Sequence, residues 1–299
     1  MIQSLLKICG VAGLAGAVAA LVVLWVAGPI VPSAESVGTS ARESAYDRVV
    51  RTGELRCGYN YWEPGLVYDD KTQKLWGFYF DVMTAFEQES GIKVVWDHVV
   101  DWGNVRPELD TGRIDAMCAM WNTSLESRVF LFTRPFAYQT VEAIVRADDN
   151  RFDQDLSAIN DPAVKIAVVD NATQDFIAKS DFPKAQRVGQ QLLSSNAELL
   201  MAVETGKADV TFTNPGIFHG FDRANPGVLK RVAPGKAMRV YGNSLTLRLD
   251  DRDLANLLNV SFGHLINTGK IDDLVDRYNR DYPGTFMKPA PSFVSESER

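Results

Sequence analysis

Between Asp115 and Arg128 the chain reads DAMCAMWNTSLESR: an apolar run meets Trp121, breaks into Asn122, Thr123 and Ser124, and ends in the charges of Glu126 and Arg128. An apolar strand that closes on a ring and a cluster of hydrogen-bonding side chains is built to present something. Its chemistry is non-covalent recognition. A ring stacks and attracts cations, amides and hydroxyls give directional hydrogen bonds, and the charges set the sign of the guest. Covalent and metal chemistry have no such signal. The chain holds no G-x-S-x-G and no Walker loop. Its three cysteines show no CxxC spacing, and His98, His219 and His264 are scattered. No cofactor and no metal are expected.

Composition bounds the rest. The 299 residues are enough for two compact lobes, and 46% hydrophobic with 23% charged residues implies a buried core. A formal net charge of -7 without a Lys/Arg-rich block argues against nucleic acid as a partner. Cys57 and Cys118 lie in two expected strands. Two buried thiols are the plainer reading; a disulfide is the alternative if the strands are neighbours.

Ile8 to Val31 carries no charge and follows Lys7, long enough to cross a bilayer as a helix. It exceeds the apolar core of a typical cleaved signal peptide. Residues 1–34 therefore read as an uncleaved membrane anchor or a long signal, and 35–43 as a tether. Either way the rest of the chain is exported to the periplasm, or secreted if the leader is cut.

The elements that must position the recognition stretch alternate from Ser44 onward. ESAYDRVVRTG, GFYFDVMTAFEQESG and NVRPELDTG read as helices ended by Gly53, Gly91 and Gly112. ELRCGYN, KVVWDHVV and RIDAMCAMW read as strands between them, a pattern that implies a parallel sheet. The pattern restarts with the strand VKIAVVD, a helix with Thr173 at its N-cap or in its first turn, the helix SNAELLMAVETG with a Ser195/Glu198 capping box, and the strand KADVTFTN. LDTGRIDAM and VETGKADVT share a helix end, Thr-Gly, a basic residue and an Asp before a strand, which implies two related α/β lobes. VEAIVRADD and YGNSLTLRLDD read as two extended connections, and the last part as two amphipathic helices. Two lobes joined by two strands make a hinge with a cleft.

This order of elements resembles the family 3 solute-binding proteins, the type II periplasmic proteins of polar amino-acid ABC importers. The likeness runs from about Tyr46 to Tyr282 and rests on GELRCGYNYWEP, KLWGFYFDVMTAF, WGNVRPELDTGRIDAM, FTRPFAY and YGNSLTLRLDDRDLANLLN. It implies a discontinuous lobe 1 (44–142 and 246–285), a lobe 2 (143–245), a C-terminal tail (286–299) and closure of the lobes on a ligand.

The same resemblance implies a ligand set. Trp62, with Tyr61 beside it, matches the ring that stacks on the ligand; packing under the loop is the alternative. Trp121 and Asn122 would form a second wall, against core packing for Trp121. The family's carboxylate-gripping arginine falls on Glu126, Ser127 or Arg128 according to the alignment. If Glu126 holds that place, a carboxylate is repelled and a cation favoured. Thr173 matches a contact to the ligand carboxylate at a helix start, against simple capping. Asn214 stands where amino-acid binders carry an acid, against a turn role before Pro215. The function expected is capture of a small polar, amino-acid-like or amine solute for an ABC permease in the inner membrane. The alternatives are a cleft enzyme of the cyclohexadienyl dehydratase type, with Glu126 as its acid–base group, and a ligand-sensing or scaffold protein.

Overall fold

The computed structural model describes residues 43–170, 172–190, 196–234 and 236–290. The leader, most of the tether, Ser195 of the expected capping box and residues 291–299 lie outside the described residues. Among the described residues no helix is long and apolar enough to cross a membrane.

The chain opens with helix α1 (Ala45–Thr52), capped by the Ser44 side chain accepting from the Asp47 N–H at 3.0 Å. Strand β1 (Glu54–Tyr59) follows, then the hairpin β2 (Val67–Asp69) and β3 (Lys74–Trp76), helix α2 (Phe78–Ser90), β4 (Lys93–Val99), α3 (Val105–Thr111) and β5 (Ala116–Asn122). A short β6 (Phe130–Phe132) leads to β7 (Ala137–Arg146). The second block holds β8 (Lys165–Val169), α4 (Thr173–Asp181), β9 (Gln186–Gln190), α5 (Asn196–Glu204), β10 (Val210–Thr213), α6 (Pro215–Ala224) and β11 (Leu229–Arg231). Strand β12 (Arg239–Arg248) returns, and α7 (Arg252–Asn267) and α8 (Lys270–Asp281) finish the regular structure.

The main sheet runs β4-β1-β5-β12-β7-β10-β8-β9. Its two ends are built alike. In each block the first strand (β1 or β8) is central, the second (β4 or β9) is outer, and the third (β5 or β10) lies beside the linking strands; within each trio the pairing is parallel. Between the trios, β7 and β12 pair antiparallel from Arg239↔Val141 to Asn243↔Ala137. The two extended connections read from the sequence, Val141–Asp149 and Tyr241–Asp251, fall on β7 and β12 but overlap the paired ribbon only at Val141 and Tyr241–Asn243; beyond it β7 pairs with β10 and β11, and β12 with β5 and β6.

The shared Thr-Gly…Asp signature does the same work in both lobes. Gly112 and Gly206 end their helices at φ 67° and 73°, where a side chain would be strained. Asp115 then accepts from the Arg56 N–H at 2.8 Å, and Asp209 from the Lys165 N–H at 2.9 Å. Each carboxylate also meets two arginines, Arg48 and Arg56 for Asp115, Arg146 and Arg151 for Asp209. The acid thus ties the start of the inner strand to the central strand beside it.

Each lobe has its own core. In lobe 1, Phe78, Phe86, Leu247 and Phe262 bury one face of the sheet, and Val105, Leu109, Ile114 and Met117 the other. In lobe 2, Ile166, Ile177 and Phe212 form one cluster, and Ile144, Leu199 and Phe218 another. Each such side chain, fully buried, contributes about 1.5–3 kcal/mol. Cys57 and Cys118 are not free thiols: they form a disulfide across the parallel pair β1/β5, with Cα atoms 5.5 Å apart. The register that sets Cys57 beside Ala116 leaves Cys118 on the same buried face, within bridging reach.

Candidate functional site

The inner strands of both lobes stop over the hinge ribbon. β5 ends with Asn122 opposite Gly242, and β10 ends with Thr213 opposite Glu142. The C-terminal ends of β5 and β10 therefore lie beside hinge residues 138–142 and 239–243.

Trp121 points onto the ribbon. It stands opposite Asn243, stacks on Tyr241 with ring centroids 5.3 Å apart and planes at 15°, and its Nε1–H donates to Gln139 Oε1 at 2.5 Å. Opposed residues of an antiparallel pair share a face, so Trp121, Gln139, Tyr241 and Asn243 line one side. Asn243 in turn accepts from the Tyr79 hydroxyl at 2.6 Å. The half-buried indole packs against the core of lobe 2, so the core-packing alternative describes it better than an open wall. Asn122 lies on the other side, and its Oδ1 accepts from the Gly242 N–H at 3.0 Å.

The turn after β5 separates the two charges that the sequence left in competition. Thr123 Oγ1 accepts from the Glu126 N–H at 3.2 Å and donates to Glu126 Oε2 at 2.7 Å. This single turn leaves Glu126 half-buried and Arg128 exposed. Burial pushes the Glu126 carboxyl above its usual range, and the Thr123 hydroxyl only partly offsets it. Burial also raises the Tyr241 phenol; Arg239 opposes, and the carboxylates of Asp181 from lobe 2 and Glu126 from lobe 1 add to the rise. Tyr241 thus stands within the fields of both lobes.

Trp62 is packed under its own loop. Its backbone pairs with Leu66 at 2.9 Å in both directions, its ring lies against Gly65, and it meets Tyr79 edge-on at 5.7 Å. The half-exposed ring of this loop is Tyr61, 43% accessible and edge-on to Tyr59. Trp102, equally exposed at the turn after β4, presents a second ring at the same sheet edge. Its motif was legible in WGNVRPELDTGRIDAM, but nothing local marked the ring as uncovered.

On lobe 2, Thr173 is the first residue of α4, and the N-cap is Ala172, which brings no side-chain cap. Asn214 is the N-cap of α6: fully buried, it accepts from the Ile217 N–H at 3.0 Å. The local role before Pro215 accounts for its oxygen. The structure therefore places Trp121, Asn122 and Glu126 at the hinge end of lobe 1, with Trp121 and Asn122 on opposite sides of β5, and Thr173 and Asn214 at the starts of the helices after β8 and β10. Gln139, Tyr241 and Asn243 escaped the sequence reading. The signal available was a polar side chain inside an otherwise apolar strand. Two open grooves line α7, one at Arg134, Asn259 and His264 and one at Tyr46, Ile92 and Leu257; both are built from lobe 1 alone.

The sequence profile of the bacterial extracellular solute-binding proteins, family 3, matches residues 55–281. The chain belongs to this family. As a family 3 solute-binding protein it has the two-lobe type II periplasmic fold and works outside the cytoplasm, capturing a solute. Solved structures agree on the fold. An ancestral amino acid-binding protein, AncCDT-1, described as a precursor of cyclohexadienyl dehydratase, is similar at TM-score 0.67 and 24% identity over 79% of this chain and 99% of that one. An ABC-transporter binding component from Wolinella succinogenes, complexed with lysine, is similar at 0.67 and 20% over 77% and 96%. The binding protein AbpA from Streptococcus pneumoniae, bound to L-arginine, is similar at 0.66 and 18% over 79% and 98%. No curated protein sequence matches this family 3 chain.

Proposed function

We propose that this family 3 protein is a non-catalytic receptor for a small solute bearing a cationic amine, delivered to an inner-membrane ABC permease. The observation that carries the reading is the turn after β5, which leaves Glu126 half-buried, held by the Thr123 hydroxyl, and Arg128 exposed. A half-buried carboxylate attracts a cation and repels a carboxylate, and Tyr61 and Trp102 are exposed rings on the loops after β1 and β4 of the same lobe. The lysine and L-arginine held by two similar proteins are cationic as well. Glu126 is also the acid–base candidate of the dehydratase alternative, so the test includes that substrate.

The experiment is thermal shift of the full chain in detergent with putrescine, agmatine, lysine, arginine, glutamate and prephenate, repeated on Glu126→Gln. Amines raise the melting temperature of the wild type, and the variant loses most of that rise. A rise with glutamate alone, turnover of prephenate, or an amine response unchanged in Glu126→Gln overturns the reading.

A further inference from the structure

The seam where the loop after β1 meets lobe 2 carries an ion pair between Glu63 and Arg223. Glu63 belongs to lobe 1, next to Trp62 on that lobe's core. Arg223 lies on α6, whose Phe218 and Phe221 belong to the core of lobe 2. Across the gap, Arg223 Nη2 donates to Glu63 Oε1 at 2.5 Å. The same guanidinium stands 4.3 Å from the ring centre of Tyr282, whose hydroxyl also donates to Glu63. One residue on, the Pro283 carbonyl lies 3.1 Å from His219 Nε2 on α6. Backbone geometry brings the surfaces together. A Cβ on Gly216 would stand 2.6 Å from Pro64 Cδ and 2.7 Å from Thr285 Cγ2, so the bare glycine is what lets α6 seat against both.

Tyr282, Pro283 and Thr285 lie just beyond the family-matched residues 55–281. They are held in place from lobe 1 and from the hinge. Asn279 brackets Phe286 with two hydrogen bonds, 2.7 and 3.0 Å; Phe286 stacks on Phe78 at 3.9 Å; and Met287 pairs with Tyr138 of β7. The segment after α8 is therefore fastened to lobe 1 and the hinge strand, and presents a ring and a carbonyl to lobe 2.

We infer that Glu63, Arg223 and Tyr282 form a cross-lobe latch that holds the two lobes closed without solute. Closure is then the resting state of this chain, and opening, rather than closing, limits entry of the solute. A pair half in water is individually weak; the ring behind the guanidinium adds a cation–π contact. Together they shift the closed-to-open ratio roughly three- to tenfold.

The test is the inter-lobe distance in the full chain in detergent, stripped of co-purified solute by unfolding and refolding. Pulsed electron spin resonance reads it between labels on non-natural residues at exposed Lys71 and Lys207, which leaves the disulfide untouched. The wild type gives one short distance. Glu63→Gln and Arg223→Ala each add a longer one, and the charge-swapped double variant Glu63→Arg/Arg223→Glu regains part of the short population. Tyr282→Phe, which removes only the hydroxyl that reaches Glu63, gives a smaller shift and serves if Arg223→Ala fails to fold. A solute-free wild type that already shows the long distance, or folded variants whose distances match the wild type, overturns the latch.

Discussion

The indole N–H of Trp121 donates to the Gln139 side-chain oxygen at 2.5 Å, joining the last turn-facing ring of β5 to a hinge strand. An indole can only donate, so this bond fixes which way the Gln139 amide faces. Gln139 is fully buried, and its Nε2 has no protein partner among the described residues. Trp121→Phe would strand the oxygen as well. We expect a loss of about 1–3 kcal/mol in urea unfolding, the usual cost of an orphaned buried polar group. The double variant Trp121→Phe/Gln139→Leu should recover most of it, since replacing both partners removes the orphan. A single variant as stable as the wild type would show that the bond contributes nothing.

Glu126 gives stability a pH dependence of known sign. Burial raises its folded-state pKa above the unfolded carboxyl value of about 4.3. The folded chain then holds a proton that the unfolded chain has released, so this group lowers stability as pH rises from the unfolded toward the folded pKa, and the loss persists above it. Glu126→Gln should match the wild type in acid and melt higher at neutral pH. Melting curves from acid to neutral decide it; a variant that melts lower at neutral pH contradicts the assignment.

The disulfide between Cys57 and Cys118 closes a loop of sequence separation 61. Loop-closure entropy for that length corresponds to about 4 kcal/mol, an upper figure because real bridges often deliver less. Cys57→Ala/Cys118→Ala should unfold at distinctly lower denaturant. The wild type kept in reductant should move toward the same midpoint, with no change expected for the double variant in reductant.

Asp115 is buried at 2% exposure, with Arg48 and Arg56 on it. Removing its charge leaves two arginines and a strand N–H short of their partner, and we expect Asp115→Ala to cost about 3–5 kcal/mol. Its counterpart Asp209 is more open and carries the same contacts in lobe 2. Asp209→Ala should cost less. Equal losses would mean that burial is not what distinguishes the two sites.

Much of this architecture could be read along the chain because its causes are local. Helices ended at Gly53, Gly91 and Gly112 where a left-handed residue was needed, and the repeated Thr-Gly…Asp signature announced two lobes of one plan. Apolar strands and amphipathic helices in alternation announced the parallel trios, and the two long β-branched runs announced β7 and β12, though not which of their residues pair with each other. None of these depends on distant residues.

The side-chain partners were decided by tertiary structure alone. Whether Cys57 meets Cys118 depends on β1 and β5 being neighbours. Trp62 and Asn214 matched positions of ligand contact, yet the fold spends the ring under its loop and the amide oxygen on a helix cap. Tyr79 meets Asn243, and Glu63 meets Arg223 and Tyr282, across well over a hundred residues. Periodicity carries the direction a side chain faces; only the packing of the strands and helices against one ribbon determines what it finds there.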